Sequence, residues 1–317
     1  TGDITIDKCR VASTSSTEYM VCLSGIVGYQ ATNVATFKNC SNSGTLQITN
    51  NVSSNFVTRV GGIIGGTNKS ITLDNCHNSM KANAEYGIII KHTTTSGAGS
   101  NQARAGGVIG WQNSGTLTTK NGVSNSAHCY FGCINKDSGG SSYGGVAGVL
   151  GGSAHSFGGT ISNSGNLHYA GASHAGTFSI GGLFGQSGNK APTLCENLQN
   201  TGNITIEKTN NNWKPTAKKH GYIGGVIAIH SVALSNAKSV CTITAIGFED
   251  THTVSSIDYF NTVGGIVGAT SSASLTKCHV GGSIILTNTN TPGALSVSNY
   301  AAYLSGDHAF DAATAKS

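Results

Sequence analysis

Charge is scarce in this chain: Asp, Glu, Lys and Arg make up 10% of its 317 residues, where about a quarter is usual. The 13 acids are dispersed. Asp74, Asp137, Glu196 and Asp258 lie far apart, and the one adjacent pair, Glu249-Asp250, reads as a solvated loop. Glycoside hydrolysis needs two carboxylates facing one cleft, and no acid pair recurs at a spacing that would place two on one face. Proline is down to 3 residues, which with no three-residue period excludes a collagen-like chain. No apolar run approaches the length of a membrane-spanning helix. The sequence has no H-E-x-x-H zinc helix, no G-x-S-x-G elbow and no calcium-binding nonapeptide repeat. The net charge of +5 is small and scattered. Its densest group, Lys214, Lys218 and Lys219 beside Trp213, reads as a solvated loop rather than a nucleic-acid site. No metal, cofactor or nucleic acid is expected, and the chain is not expected to be an enzyme.

What the chain has in quantity is glycine, 45 residues, and the glycines are patterned. An apolar box recurs seven times: SGIVG from Ser24, GGIIG from Gly61, GGVIG from Gly106, GGVAG from Gly144, GGLFG from Gly181, GGVIA from Gly224 and GGIVG from Gly264. Its glycines are Gly25 and Gly28; Gly61, Gly62 and Gly65; Gly106, Gly107 and Gly110; Gly144, Gly145 and Gly148; Gly181, Gly182 and Gly185; Gly224 and Gly225; Gly264, Gly265 and Gly268. The starts are 37, 45, 38, 37, 43 and 40 residues apart, and a fixed period of this size marks a repeat architecture. No box carries Lys-Ser/Thr in the register of a P-loop, so none is a phosphate loop.

A second element follows the box, as in the Cys40-Ser41-Asn42-Ser43-Gly44 turn and the alternating Leu46-Gln47-Ile48. Close copies lie at Ile161–Leu167 and Leu198–Ile206. Period-two alternation signals half-buried strands, and Asn and Gly supply corners. The fold class expected is all-β: a parallel β-helix or β-solenoid of seven repeats of about 40 residues. It should occupy residues 1–286 as one elongated body, followed by an irregular or helical tail over 287–317. Each box should form a corner, its aliphatic pair filling the interior. Inserts such as Lys91–Ala103 and Thr209–His220 should loop out. The period allows one large coil or two small ones.

Nine cysteines are present, and five of them (Cys40, Cys76, Cys195, Cys241 and Cys278) fall 14 to 17 residues after a box start. That spacing predicts a ladder of small buried side chains at equivalent positions. The alternatives are a Cys9–Cys22 or Cys129–Cys133 disulfide, or a metal at His128, Cys129 and Cys133.

The boxes GGIIG, GGVIG, GGLFG and GGIVG, followed by C-x-N-x-G segments, resemble GLUG-type repeats of large secreted and surface proteins, notably of Bacteroidota. The resemblance covers roughly Ser24 to Leu286. It implies an extracellular or cell-surface, non-catalytic β-solenoid, and it carries over no catalytic residue. The box ending in Ala228 departs from the pattern. The function expected is a structural or adhesive one, a rigid stalk or filament component. Thr1–Lys8 begins mid-repeat, matching Thr201–Lys208, so this open coil should pair with preceding sequence or another chain. A glycan-binding module is the alternative, with Trp111, Trp213 and Tyr222, and also Tyr86 and Tyr169, as candidate contacts for surface glycans.

Overall fold

The computed structural model describes residues 2–9, 19–50, 56–92, 101–133, 140–171, 178–188, 190–208, 221–230, 232–246, 261–269, 274–287 and 299–302. Among them every regular element is a β-strand, and every inter-strand pair is parallel. The fold is a β-solenoid. One repeat makes one large four-strand coil, as in Leu46–Asn50, Phe56–Gly61, Ile64–Thr67 and Ile71–Asn78. Stacked coils align these strands into a first, second, third and fourth sheet. The first and fourth merge where the single strand Ala237–Ile246 serves both. The third sheet has seven strands, one from each box.

The coil has two cores. Leu46, Ile88, Phe131, Tyr169 and Ile204 of the first sheet pack against Val60, Ala105, Tyr143 and Ile180 of the second. Ile64, Ile109 and Phe184 of the third sheet pack against Leu73, Val123, Phe157 and Leu198 of the fourth. Between these cores the second and third sheets meet back to back, and glycine permits the contact. A Cβ on Gly110 would stand 2.3 Å from the Gly65 carbonyl oxygen and 2.7 Å from the Val60 nitrogen. One on Gly148 would stand 2.5 Å from the Ala105 nitrogen. Real side chains do not approach backbone so closely, so these positions form a seam of bare backbone. Between the glycines the apolar pair (Ile63-Ile64, Val108-Ile109, Leu183-Phe184) enters the second core fully buried.

The second box residue faces something else. Asn42, Asn78, Asn125, Asn163 and Asn200 stack in successive coils at the corner from the fourth sheet to the first. Each Nδ2 donates to the next Oδ1, at 2.8, 2.8, 2.8 and 2.9 Å. Asn125 also accepts from the Ala127 N–H at 3.2 Å and donates to the Ala127 carbonyl at 2.9 Å. Both its donors and both its acceptor sites are therefore used. The box glycine seats this ladder. A Cβ on Gly107 would lie 2.2 Å from Asn125 Cγ, and one on Gly62 2.2 Å from Asn78 Oδ1. The box and the Asn-x-Gly turn, separate in sequence, are one packed unit. The ladder stops where Ser239 replaces Asn; beside it is a void of about 10 Å³ lined by Cys241, Ile243 and Gly265.

Several expectations need correction. The cysteines do not form one ladder. Cys76 shares a column with Val123, Ile161, Leu198 and Ala237. Cys195 belongs to the neighbouring column of Leu73, Thr119 and Phe157. Cys241 lies in the other core. The fourth sheet shifts register between Lys120 and Val123 and between Phe157 and Thr160, so equal distance from a box does not give an equal position. Neither proposed disulfide forms. Cys22 and Cys129 are free thiols; Cys129 and Cys133 bound one strand, and four residues of strand span about 13 Å, beyond disulfide reach. Burial pushes the Cys129 thiol up to about 12. Asn299–Ala302 pairs with Asn261–Gly264 as an eighth strand of the second sheet, so the repeat pattern enters the segment assigned to the tail. The rest of 288–317 lies outside the described residues. The seven stacked strands of the third sheet, about 4.8 Å apart, span about 29 Å along the stacking axis.

Chain order places every strand-to-strand connection from the first sheet to the second at one corner of the coil. The expected insert 91–103 is shorter than its spacing suggested: residues 91–92 and 101–103 belong to the strands Ile88–His92 and Asn101–Gly106, while 93–100 and 209–220 lie outside the described residues. The first coil leaves apolar groups uncovered: Ile4, Met20, Ile26, Tyr29 and Val34 are 38–72% exposed.

Candidate functional site

Among the described residues, the expected ligand contacts Trp111, Tyr222, Tyr86 and Tyr169 are not gathered into one site. Trp111 is 8% exposed. The Arg59 guanidinium stacks 3.5 Å from its ring centroid and that of Arg104 lies 5.3 Å away, so two arginines stand over the ring. Tyr222 is half-buried on the second sheet, in register with Ser179 and Thr262, three coils from Trp111. Trp213 lies outside the described residues. Tyr169 is a core residue, stacked on Phe178 with centroids 5.3 Å apart. The box glycines are structural throughout, as the seam and ladder require; Ala228, at the fifth box position, is also fully buried.

Among the described residues, no group of three or more His, Cys, Asp or Glu side chains is arranged to hold a metal ion. Two serine–histidine pairs have the contact a nucleophile and base would need. In one, Ser124 Oγ is 2.8 Å from His77 Nδ1, and the other ring nitrogen meets the Asn75 side-chain oxygen at 2.7 Å. In the other, Ser187 Oγ meets His230 Nδ1; both residues are buried, and the other ring nitrogen faces the Ala233 carbonyl. Desolvation holds His230 down at about 4, so it is neutral at pH 7. Among the described residues, no carboxylate orients it. Each pair fastens two coils.

The arrangement with most chemical potential is on the outer face of the first sheet. Strand alternation creates it: Cys129 and Phe131 enter the core, so Tyr130 points outward. In the same column the next coils place His168 and Thr205. One column over stand Lys91, Gly132, Ala170 and Glu207. A Cβ on Gly132 would come 2.7 Å from Tyr130 Cε1 and 3.2 Å from its hydroxyl, so the hydroxyl end of the Tyr130 ring extends over this glycine. Tyr86, from the turn before Ile88–His92, covers the edge. Its ring is 5.3 Å from Tyr130 at 56°, and Tyr130 meets His168 edge-on at 5.2 Å.

Polar contacts hold the group. The Tyr86 hydroxyl is 3.0 Å from His168 Nδ1. His168 Nε2 is 3.2 Å from Glu207 Oε2, an ion contact not aligned as a hydrogen bond. Lys91 Nζ stands 6.0 Å from the Tyr130 centroid, the outer limit of a cation–π contact. Burial, then the carboxylates of Glu207 and Glu85, push the Tyr130 hydroxyl above its usual range; burial and Glu85 do the same for Tyr86. Both are neutral phenols at pH 7. The rings are half-buried, and the His168 and Glu207 side chains are 24% and 40% exposed. Aromatic faces, a cation and an anion are thus fixed on a rigid sheet within three rungs. Sequence reading missed Tyr130 because Cys129 and Cys133 drew attention to metal and disulfide chemistry; the alternation in Cys129-Tyr130-Phe131 carried the signal.

No family model, curated protein or solved structure matches this chain.

Proposed function

We propose that this chain is a non-catalytic structural segment of an extracellular or cell-surface repeat protein, of the GLUG-like kind its boxes resemble. The observation that carries this reading is the continuity of both cores and the asparagine ladder across successive coils. The repeated residues are spent on stacking one coil on the next: seam glycines against backbone, ladder amides against each other, apolar pairs in the interior. The scarcity of charge fits a surface of Ser, Thr and Asn. The same parallel pairing that adds coil to coil would lengthen the body by about 4.8 Å for each further coil, giving a thick, stiff pillar. The apolar groups uncovered on the first coil are where a further coil, or another protein chain, would join.

Electron microscopy of the native material tests this. Rods with an axial repeat near 4.8 Å are the expected result. Turnover of a polysaccharide that a single Asp or Glu substitution abolishes would overturn it.

A further inference from the structure

We infer that the Tyr86–Tyr130–His168 face of the first sheet is a binding platform for a neutral, pyranose-based oligosaccharide. This goes beyond the structural role and does not depend on it. A sugar ring presents C–H groups on one face and hydroxyls at its rim. The complementary protein surface is a flat aromatic face ringed by a few hydrogen-bonding groups. Tyr130 supplies the face. It extends over Gly132, which has no side chain to lift it, and the Tyr86 and His168 rings pack against it. Lys91, Glu207 and Thr205 supply donors and acceptors around it.

The charge pattern selects the ligand class. Lys91 and Glu207 stand on opposite sides of the platform, in one column and three rungs apart, and Glu85 is a second carboxylate acting on both tyrosines. An anionic ligand would meet two carboxylates against one ammonium, and a cation stacking on Tyr130 would meet Lys91 over the ring, whereas an uncharged polyol can bond to all three groups. The platform is also held before ligand arrives. Tyr86 is tethered to His168, and the strands beneath are paired on both sides. Little side-chain ordering then opposes binding. Rigid tyrosines suit such a surface, since a phenol loses few rotamers on being fixed.

The test is titration of the full chain with neutral oligosaccharides, hexose and N-acetylhexosamine oligomers of three to six units, followed by calorimetry and aromatic NMR shifts. Binding to at least one oligomer is expected. Tyr130→Ala should weaken it by about tenfold or more, one ring's worth of contact, while Tyr130→Phe keeps it within about threefold. Gly132→Val, which lifts the ring, should match Tyr130→Ala. Circular dichroism of each variant should match the parent, since both positions face outward. Failure of every oligomer to bind at millimolar concentration would overturn the proposal. So would binding indifferent to Tyr130→Ala, or a platform that takes up peptides and not saccharides.

Discussion

Truncating one ladder asparagine in mid-stack should be among the most damaging single changes this fold can suffer. Asn125→Ala removes four hydrogen bonds at once: from Asn78 Nδ2, to Asn163 Oδ1, and both with Ala127. Asn78, Asn125 and Asn163 are each 1% exposed and Ala127 is fully buried, so water reaches the orphaned groups poorly. At about 1 kcal/mol for each partner left unsatisfied, the low end of the range, destabilisation comes to about 4 kcal/mol. That is a large share of the 5–15 kcal/mol typical of a domain. The control is Asn166→Ala. Asn166 is exposed and accepts from the Asn203 N–H at 3.0 Å, and its loss should stay under about 1 kcal/mol. Urea denaturation followed by circular dichroism measures both. A double variant sharpens the logic. A Cβ on Gly107 would meet Asn125 and also the Gly145 carbonyl oxygen at 2.2 Å, so Asn125→Ala should not rescue Gly107→Ala. Equal midpoints for Asn125→Ala and Asn166→Ala would refute the ladder's role, and rescue of Gly107→Ala would refute the backbone contact.

Three further outcomes follow from particular sites. Ser239→Asn should extend the ladder into the void beside Cys241 and raise stability by about 1 kcal/mol, read as a higher urea midpoint; a fall would mean the void cannot admit the amide. Lys277 has φ +52° where Asn39, Asn75, Asn121 and Asn236 occupy the same left-handed bend, so Lys277→Asn should raise Tm by a few degrees, from about 0.5–1 kcal/mol. An unchanged or lower Tm counts against strain at this bend. Burial holds His92 and His230 at about 4 and lowers His155. Their folded values lie below the unfolded 6.5, so the unfolded chain binds protons first as pH falls. Stability should be fully present above about pH 6.5 and fall by a few kcal/mol toward pH 4. Denaturation at pH 7, 5.5 and 4 checks the slope, and a flat profile would contradict neutral burial of these rings.

Much of the architecture was legible in the sequence because solenoid stacking repeats its requirements. Glycine recurs where backbone touches backbone, and period-two alternation of buried side chains, as in Leu46-Gln47-Ile48 and Ile204-Thr205-Ile206, recurs where strands cover the first core. Contacts between parts of one repeat were hidden. Gly107 and Asn125 are 18 residues apart, and only closure of the coil brings them together. The two cores were hidden for the same reason: Val108 and Ala105 are both small and apolar, yet they face opposite layers. The cysteine columns were misjudged because register shifts in the fourth sheet break the link between spacing and position. The tyrosine platform was obscured because its members come from different repeats and recur in none; Tyr86 and His168 are 82 residues apart.

The central claim is that one repeat is one coil, closed by its own seam glycines and its own ladder asparagine. Deleting residues 126–163 tests it most directly, because the cut joins Asn125 to Ser164 and shortens the chain by one ladder interval of 38 residues. Circular dichroism and urea denaturation of that variant should show an intact β signal and one cooperative transition, with Asn125 donating to Asn200. Deleting only 126–144, half a coil, should abolish cooperative folding. The reverse pattern, or tolerance of both deletions, would contradict the account.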